Sequence, residues 1–239
     1  MRRAAGQPER LDGPLDPHAL RGNLRDLARV NRWLGGNDLS RRAIRELAVA
    51  SGPRETLRVL DVGTGGADIP ADLLATWGAG WPRLAVTALD SRTEVLDAAR
   101  ALRPSLERTA GLTLALGDGR KLPYPDASFD VGHASLVVHH LEPDEAIAFL
   151  RELARVATVG VVVNDLTRAR LHWLGAVALG RCCTGNSYTR HDAPLSVRRA
   201  YTPREMSALL LGAGLRPVRT ARGFLGHRYT ITAVRVGAP

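Results

Sequence analysis

The residues best suited to chemistry are a set of carboxylates near glycines and one adjacent pair of histidines. Asp61 and Asp68 bracket the glycine-rich turn Asp61-Val62-Gly63-Thr64-Gly65-Gly66. Asp90 closes one apolar run, and Asp118 closes another within Gly117-Asp118-Gly119. Glycines in a turn between strand and helix bring backbone amides close to a ligand, because no Cβ intrudes. Spacing narrows the ligand. A dinucleotide fingerprint counted from Gly63 requires glycine at position 68, and Asp68 stands there, where its charge would repel a pyrophosphate.

A cation-rich ligand without phosphate fits this turn better, and S-adenosylmethionine, with its sulfonium, ammonium and single carboxylate, is such a ligand. Asp61 and Asp68 are expected to rim its pocket, with Gly63, Thr64 and Gly65 supplying the turn. Asp90, 25 residues beyond Gly65, is placed to accept ribose hydroxyls, with Ser91 beside it. Asp118 is placed to accept from the adenine amino group, with Gly119 and Arg120 next to it. Ser135 in the fourth strand and Arg32 in an N-terminal helix, the latter to pair the ligand's carboxylate, complete the cofactor candidates. Any one of these acids alone reads equally well as a helix cap or a solvated loop carboxylate.

His139-His140 follows the fourth apolar run, and a histidine there can take the proton from a phenol or enol near neutral pH. The competing expectation is one packed histidine and one loop cap. His191, in Tyr188-Thr189-Arg190-His191-Asp192, is an alternative base. Cys182 and Cys183 are the only cysteines and lack nearby further ligands, so no metal site is read from the sequence.

These residues need a scaffold that brings successive strand ends to one edge. The chain from Leu57 alternates apolar strands with helices, as a parallel sheet does. Strands are expected at Leu57–Val62, Leu84–Leu89, Leu112–Leu116, Asp130–Val138 and Val159–Asn164, and two more near Arg216–Ala221 and Tyr229–Val236. The short loop joining the last two demands an antiparallel hairpin. Residues 1–18 lack periodicity and read as a flexible lead-in. Residues 19–52 read as a helical N-terminal cap, and 53–239 as the main domain. Within that domain, residues 165–200 break the alternation and read as an insertion covering the strand ends. Its apolar helix, with Leu171, Trp173, Leu174, Val177 and Leu179, is a candidate wall for an aromatic or lipid-like acceptor. Thr202-Pro203-Arg204-Glu205 is a capping box opening a further helix.

Leu57 to Val236 resembles the class I S-adenosylmethionine-dependent methyltransferase superfamily. The run Val59-Leu60-Asp61-Val62-Gly63-Thr64-Gly65-Gly66-Ala67 is similar to its first motif, with Ala67 in place of a third glycine. The resemblance implies a doubly wound α/β fold with a seven-stranded, mostly parallel sheet in the order 3-2-1-4-5-7-6. It implies ribose binding by Asp90 and adenine binding by Asp118 with the backbone near Arg120. Leu122-Pro123-Tyr124-Pro125-Asp126-Ala127-Ser128-Phe129-Asp130 and Gly65-Gly66-Ala67-Asp68 resemble small-molecule members, such as those methylating quinone precursors.

Composition bears on the acceptor. The net charge is +9, but Lys121 is the only lysine and the arginines are spread from Arg2 to Arg235 rather than gathered in a stripe. No Asn/Asp-Pro-Pro-aromatic run follows the fourth strand, which weighs against methylation of nucleic-acid amino groups. Scarce cysteines and the absence of a membrane-length apolar run point to a cytoplasmic protein without stable membrane insertion. The expected reaction is methylation of an oxygen or activated carbon of a small aromatic or polyketide-like molecule. The rival readings are a nucleic-acid or protein methylase, and a non-catalytic cofactor-binding subunit. Oligomeric state is not legible.

Overall fold

The computed structural model describes residues 1–236. Seven strands form one sheet in the order β3-β2-β1-β4-β5-β7-β6. They are β1 (Thr56–Val62), β2 (Arg83–Asp90), β3 (Leu112–Leu116), β4 (Phe129–Ser135), β5 (Ala157–Leu166), β6 (Leu215–Arg222) and β7 (Arg228–Arg235). Strands β1 to β5 run parallel, and β7 lies antiparallel between β5 and β6. The expected order and the antiparallel hairpin are both present. Because the chain winds outward from β1 to β3 and then returns to β4 on the other side, the β1/β4 boundary is a topological switch point. Ligands of open α/β sheets bind outside the carboxyl ends of strands at such a point.

Central strands are apolar because both faces are covered. Val161, Val162 and Val163 of β5 are fully buried. One face packs on α5 (Pro143–Val156) and α8 (Pro203–Gly212) through Phe149, Leu150, Leu153, Met206 and Leu210. The other packs on α2 (Gly36–Ala50) and α3 (Asp68–Thr76) through Ile44, Leu47 and Leu73. Helix α8 opens on the expected capping box, Thr202 Oγ1 accepting from the Glu205 amide while Glu205 accepts from the Thr202 amide. Helix α4 (Thr93–Leu102) and α1 (Pro17–Trp33) share a small cluster of Leu20, Leu24, Val95 and Ala98, which lays α1 beside the glycine turn.

Two segments differ from expectation. Of residues 1–18, expected to be a flexible lead-in, the last two open α1 and the first 13 are tied down by contacts far away in sequence. Arg3 donates to Glu142 Oε2 at 2.6 Å and to the Leu141 carbonyl at 2.8 Å, and the Arg10 amide donates to Asp192 at 2.9 Å. Such partners leave no local periodicity to read. The insertion is a helix pair, α6 (Arg170–Cys182) and α7 (Ser187–Arg199). Helix α7 is capped by Asn186, whose Oδ1 accepts from the Tyr188 and Thr189 amides, and it carries Pro194 inside.

Candidate active site

The glycine turn leaves β1 with Gly63 at φ +70° and Gly65 at φ +56°. A Cβ on Gly63 would stand 2.4 Å from Val137 Cγ2, so the turn requires glycine there for space as well as conformation. Ala67 adopts a left-handed conformation (φ 51°) as it enters α3, in place of the family's third glycine, and is fully buried.

Asp90 ends β2 beside this turn. Its Oδ2 accepts from the Gly65 amide at 3.0 Å and its Oδ1 from the Arg92 amide at 3.2 Å. Burial raises its carboxyl above the ordinary value, and the backbone donors of Gly65, Arg92 and Ser91 work against that rise. Ser91 itself is exposed at the rim. Asp118 lies further out, held by Arg120 through its guanidinium at 3.1 Å and its amide at 2.9 Å, and this pairing lowers its carboxyl. Gly119 passes so close to the core that a Cβ would meet Val62 at 2.6 Å and Phe149 at 2.7 Å.

Asp61 departs from its expected place. It is buried, and rather than rimming a pocket its Oδ1 accepts from His133 Nδ1 at 2.5 Å across the β1/β4 pairing. That bond begins a continuous buried network. Ser40 Oγ donates to His133 Nε2 at 2.8 Å, and Asn164 Nδ2 donates to Ser40 Oγ at 2.7 Å. Arg228 Nε donates to Asn164 Oδ1 at 2.5 Å, its Nη1 to Asn31 Oδ1 at 2.5 Å, and its Nη2 to Ser135 Oγ at 2.6 Å. Asn31 Nδ2 then donates to Asp68 Oδ2 at 2.9 Å. One guanidinium therefore donates along three branches, two of which end on a carboxylate, Asp61 and Asp68, and the third on Ser135.

Arg228 is 1% exposed. Burial pushes its guanidinium down to about 10, against the pull of Asp165 and Asp68, so it stays charged at neutral pH. Burial raises Asp68, while Asn31 and the nearby Arg103 lower it. Arg32 is exposed and shares with Asp68, Asn37 and Arg103 a cleft of about 530 Å³ between α1 and α3. Thr64 Oγ1 is buried without a hydrogen-bond partner beside the glycine turn. An orphaned hydroxyl, a carboxylate with acceptor capacity and close-approach glycines form a donor and acceptor set that fits a nucleoside carrying an amino-acid arm.

His139 and His140 follow β4 in a 3-10 turn, their ring centroids 4.3 Å apart. His139 Nδ1 donates to Asp165 Oδ1 at 2.7 Å. Burial alone would raise the Asp165 carboxyl, but its contact with His139 holds it below the ordinary value. His140 Nδ1 donates to Asp12 Oδ1 at 2.9 Å. The Nε2 atoms of both rings face Glu9, at 3.7 Å and 3.9 Å. Burial pushes the Glu9 carboxyl up to about 7, with His140 and Ser196 opposing.

His191, the third candidate base, pairs with Asp192 at 2.7 Å, and its side chain is 44% exposed. Leu171, Leu174 and Leu179 of α6 are exposed, and Trp173 and Leu174 line a hollow with Met1, Arg170 and Arg198. Sequence reasoning left His133, Ser40, Glu9 and Arg228 without a role. A histidine within the run Val131-Gly132-His133-Ala134 was the available signal, since a lone polar residue on a central strand needs a buried partner.

Comparison with known proteins agrees with this arrangement. The family described as "Methyltransferase domain" matches residues 60–163, from within β1 to within β5. A demethylmenaquinone methyltransferase of Roseiflexus sp. (strain RS-1) is 32% identical over 196 residues, covering 75% of this chain and 76% of its own length. A demethylmenaquinone methyltransferase of Deinococcus radiodurans is 28% identical over 188 residues, covering 74% and 73%. The crystal structure of a SAM-dependent methyltransferase from Aquifex aeolicus superposes with a TM-score of 0.65 at 22% identity, over 93% of this chain and all of that one. The glycine turn at the switch point, the acids beyond it and the relatives agree. The chain belongs to the class I S-adenosylmethionine-dependent methyltransferases, and S-adenosylmethionine is its cofactor.

Proposed function

We propose that the chain methylates a small hydroxylated aromatic molecule of the hydroquinone or phenol type, on the oxygen or on a carbon activated by it. The observation that carries this reading is the His139–Asp165 couple at the end of β4. Asp165 keeps the proton on Nδ1, which leaves Nε2 with a free lone pair for an acceptor hydroxyl. Two relatives whose names specify demethylmenaquinone support a quinol-like acceptor. The arginines support a small acceptor over nucleic acid, because many are spent on internal carboxylates. Examples are Arg41 with Asp72, Arg155 with Glu152, Arg168 with Glu205 and Arg199 with Asp12.

When bound, S-adenosylmethionine supplies the methyl group from its sulfonium. Asp90 would accept from its ribose, Asp118 and the Gly119-Arg120 backbone would hold its adenine, and the Gly63-Thr64-Gly65 turn would meet its amino-acid arm. Asp68 balances the ligand's ammonium, Arg32 its carboxylate, and Ser135 is held beside them by Arg228. Neither Asp61 nor Ser91 has more than a supporting part, Asp61 through His133 and Ser91 through its amide on Asp90. For an oxygen acceptor, the new O–CH3 bond would form as the sulfonium S–CH3 bond breaks, and the hydroxyl proton would pass to His139 Nε2; for a carbon acceptor, His139 would take the hydroxyl proton first, and the proton on the methylated carbon would leave as the hydroxyl is restored. Glu9 lies 3.7 Å from that nitrogen, so the acceptor reaches it by displacing Glu9. His140 and His191 lean on Asp12 and Asp192 in the same way but are more exposed than His139, and serve as positioning residues.

The test is incubation with isotope-labelled S-adenosylmethionine and a panel of hydroquinones, phenols and polyketide-derived acceptors, read by product mass. His139→Ala should lower turnover by about 100-fold or more while cofactor affinity stays within a factor of a few. Labelling of RNA or protein alone, or full turnover in the His139 variant, would overturn the reading.

A further inference from the structure

Above the His139–His140 pair, three side chains converge in a way that proton transfer does not explain. Glu9 Oε1 is buried and has no hydrogen-bond partner, although its carboxylate is 4% exposed and lies against His139 Nε2 at 3.7 Å. His140 Nε2 approaches Glu9 Oε2 at 3.9 Å, and the donor atoms of the three residues all lie within 4.8 Å of one another. A buried carboxylate oxygen without a donor is costly, and a pair of aligned imidazole lone pairs pointed at it gives that oxygen nothing to accept.

We propose that Glu9, His139 and His140 bind a first-row divalent cation, with zinc(II) as the type ion. Both imidazoles are already oriented for the purpose. His139 Nδ1 donates to Asp165 and His140 Nδ1 to Asp12, the carboxylate–histidine arrangement that fixes the tautomer and leaves Nε2 as the ligand atom. Ser196 Oγ donates to Glu9 Oε2 at 2.9 Å, which orients the carboxylate so that Oε1 is turned to His139 and Oε2 to His140. Ligand–metal distances near 2 Å place donor atoms of a tetrahedral ion about 3.3 Å apart, so the three groups need to close by between a few tenths of an ångström and about 1.5 Å.

The local charge favours a cation. Glu9, Asp12 and Asp165 surround the histidines, and the nearest opposing charge, Arg199, is committed to Asp12 and to the carbonyls of His139 and His140. Three protein ligands of two nitrogens and one oxygen suit zinc, cobalt or nickel better than calcium or magnesium, which prefer oxygen. The ion would also clamp residues 1–13 to the end of β4, because Glu9 is the only ligand from that segment. This inference rests on the geometry of the cluster and not on the nature of the methyl acceptor. Because the ion takes the His139 lone pair that receives the acceptor's proton, the metal-free chain is the working form for methyl transfer and the ion-loaded chain the resting one.

The test uses the full, tag-free chain carrying Cys182→Ser and Cys183→Ser, which removes the exposed thiols as rival ligands. Zinc(II) binding is measured by calorimetry and by metal content after gel filtration, and cobalt(II) is added to read ligand-field absorption. The expected result is one ion per chain. Affinity should fall by more than 100-fold in Glu9→Gln and in His140→Gln, fall about 10- to 100-fold in Asp12→Asn, and stay unchanged in His18→Ala. S-adenosylmethionine binding by each variant confirms the fold without involving methyl transfer, so failure here is separable from failure of the acceptor reading. Absence of stoichiometric binding, or binding that survives both Glu9→Gln and His140→Gln, overturns the proposal.

Discussion

Arg228 on β7 donates through Nη1 to Asn31 Oδ1 on α1 at 2.5 Å, across 197 positions of sequence. That bond makes the last strand the anchor of the helix that lies over the glycine turn. The same guanidinium serves Asn164 and Ser135, and no other cation joins the path between Asp61 and Asp68.

Arg228→Met should destabilise the fold by about 3–5 kcal/mol, because it leaves Asp68 and Asp165 buried without their compensating charge. Arg228→Lys should recover little, since one ammonium cannot reach three acceptors set in a planar fork. Urea denaturation midpoints measure both. A destabilisation under about 1 kcal/mol in the Met variant would mean that the network is held by its other members.

Cofactor affinity should respond to Asp90 in a defined way. Asp90→Ala removes the acceptor from the ribose and frees the Gly65 amide, so calorimetry should show a loss of about 10- to 100-fold for both S-adenosylmethionine and its demethylated product. Equal affinity in wild type and variant would remove Asp90 from the site.

The two neighbouring glycines of the turn should behave oppositely. Gly63→Ala forces a side chain into a left-handed conformation and against Val137, and thermal denaturation should register a loss of about 2–4 kcal/mol. Gly66→Ala meets Arg103 Nη1 at 3.4 Å and Leu24 Cβ at 3.6 Å, ordinary contacts, so it should change stability by less than about 1 kcal/mol. Similar losses in both would show that the turn, and not the contact with Val137, sets the requirement.

At the opposite sheet edge, Asp130 gives a pH signature. Burial alone would raise its carboxyl, but the side chain and amide of Arg58, with Arg54, outweigh burial and hold it below the ordinary 3.8. A depressed carboxyl contributes stability above its unfolded value and loses it as pH falls through the folded one. Asp130→Asn should therefore cost about 1–3 kcal/mol at pH 7, with the gap to wild type narrowing below pH 3.8. A gap that is constant with pH would assign the loss to shape alone.

Much of this architecture was legible in the chain. Runs such as Val159–Asn164 and Leu57–Val62 carry strand identity in their own composition, and the short Gly223–His227 link forces an antiparallel hairpin. Asp90 is recognisable because a strand end plus spacing from Gly65 suffices. The polar network was not legible, because Asp61, His133 and Arg228 look like ordinary strand-edge residues until register sets Asp61 opposite His133. Residues 1–13 were missed for a related reason. Arg3, Glu9 and Arg10 find partners at Glu142, Ser196 and Asp192, and nothing within a local window announces them. Helix α7 was obscured by Pro194 and by its polar start, although Asn186 offered a cap.

The placement of β7 between β5 and β6 has a consequence for biosynthesis. Asn31, Ser40, Asp61, Asp68, His133, Ser135 and Asn164 all emerge from the ribosome before Arg228 does. Until β7 is made, β5 presents an open edge and the nascent chain carries the buried carboxylates without their central cation. The link from Asn31 to Asp68 beside the glycine turn is therefore completed only when the hairpin joins β5.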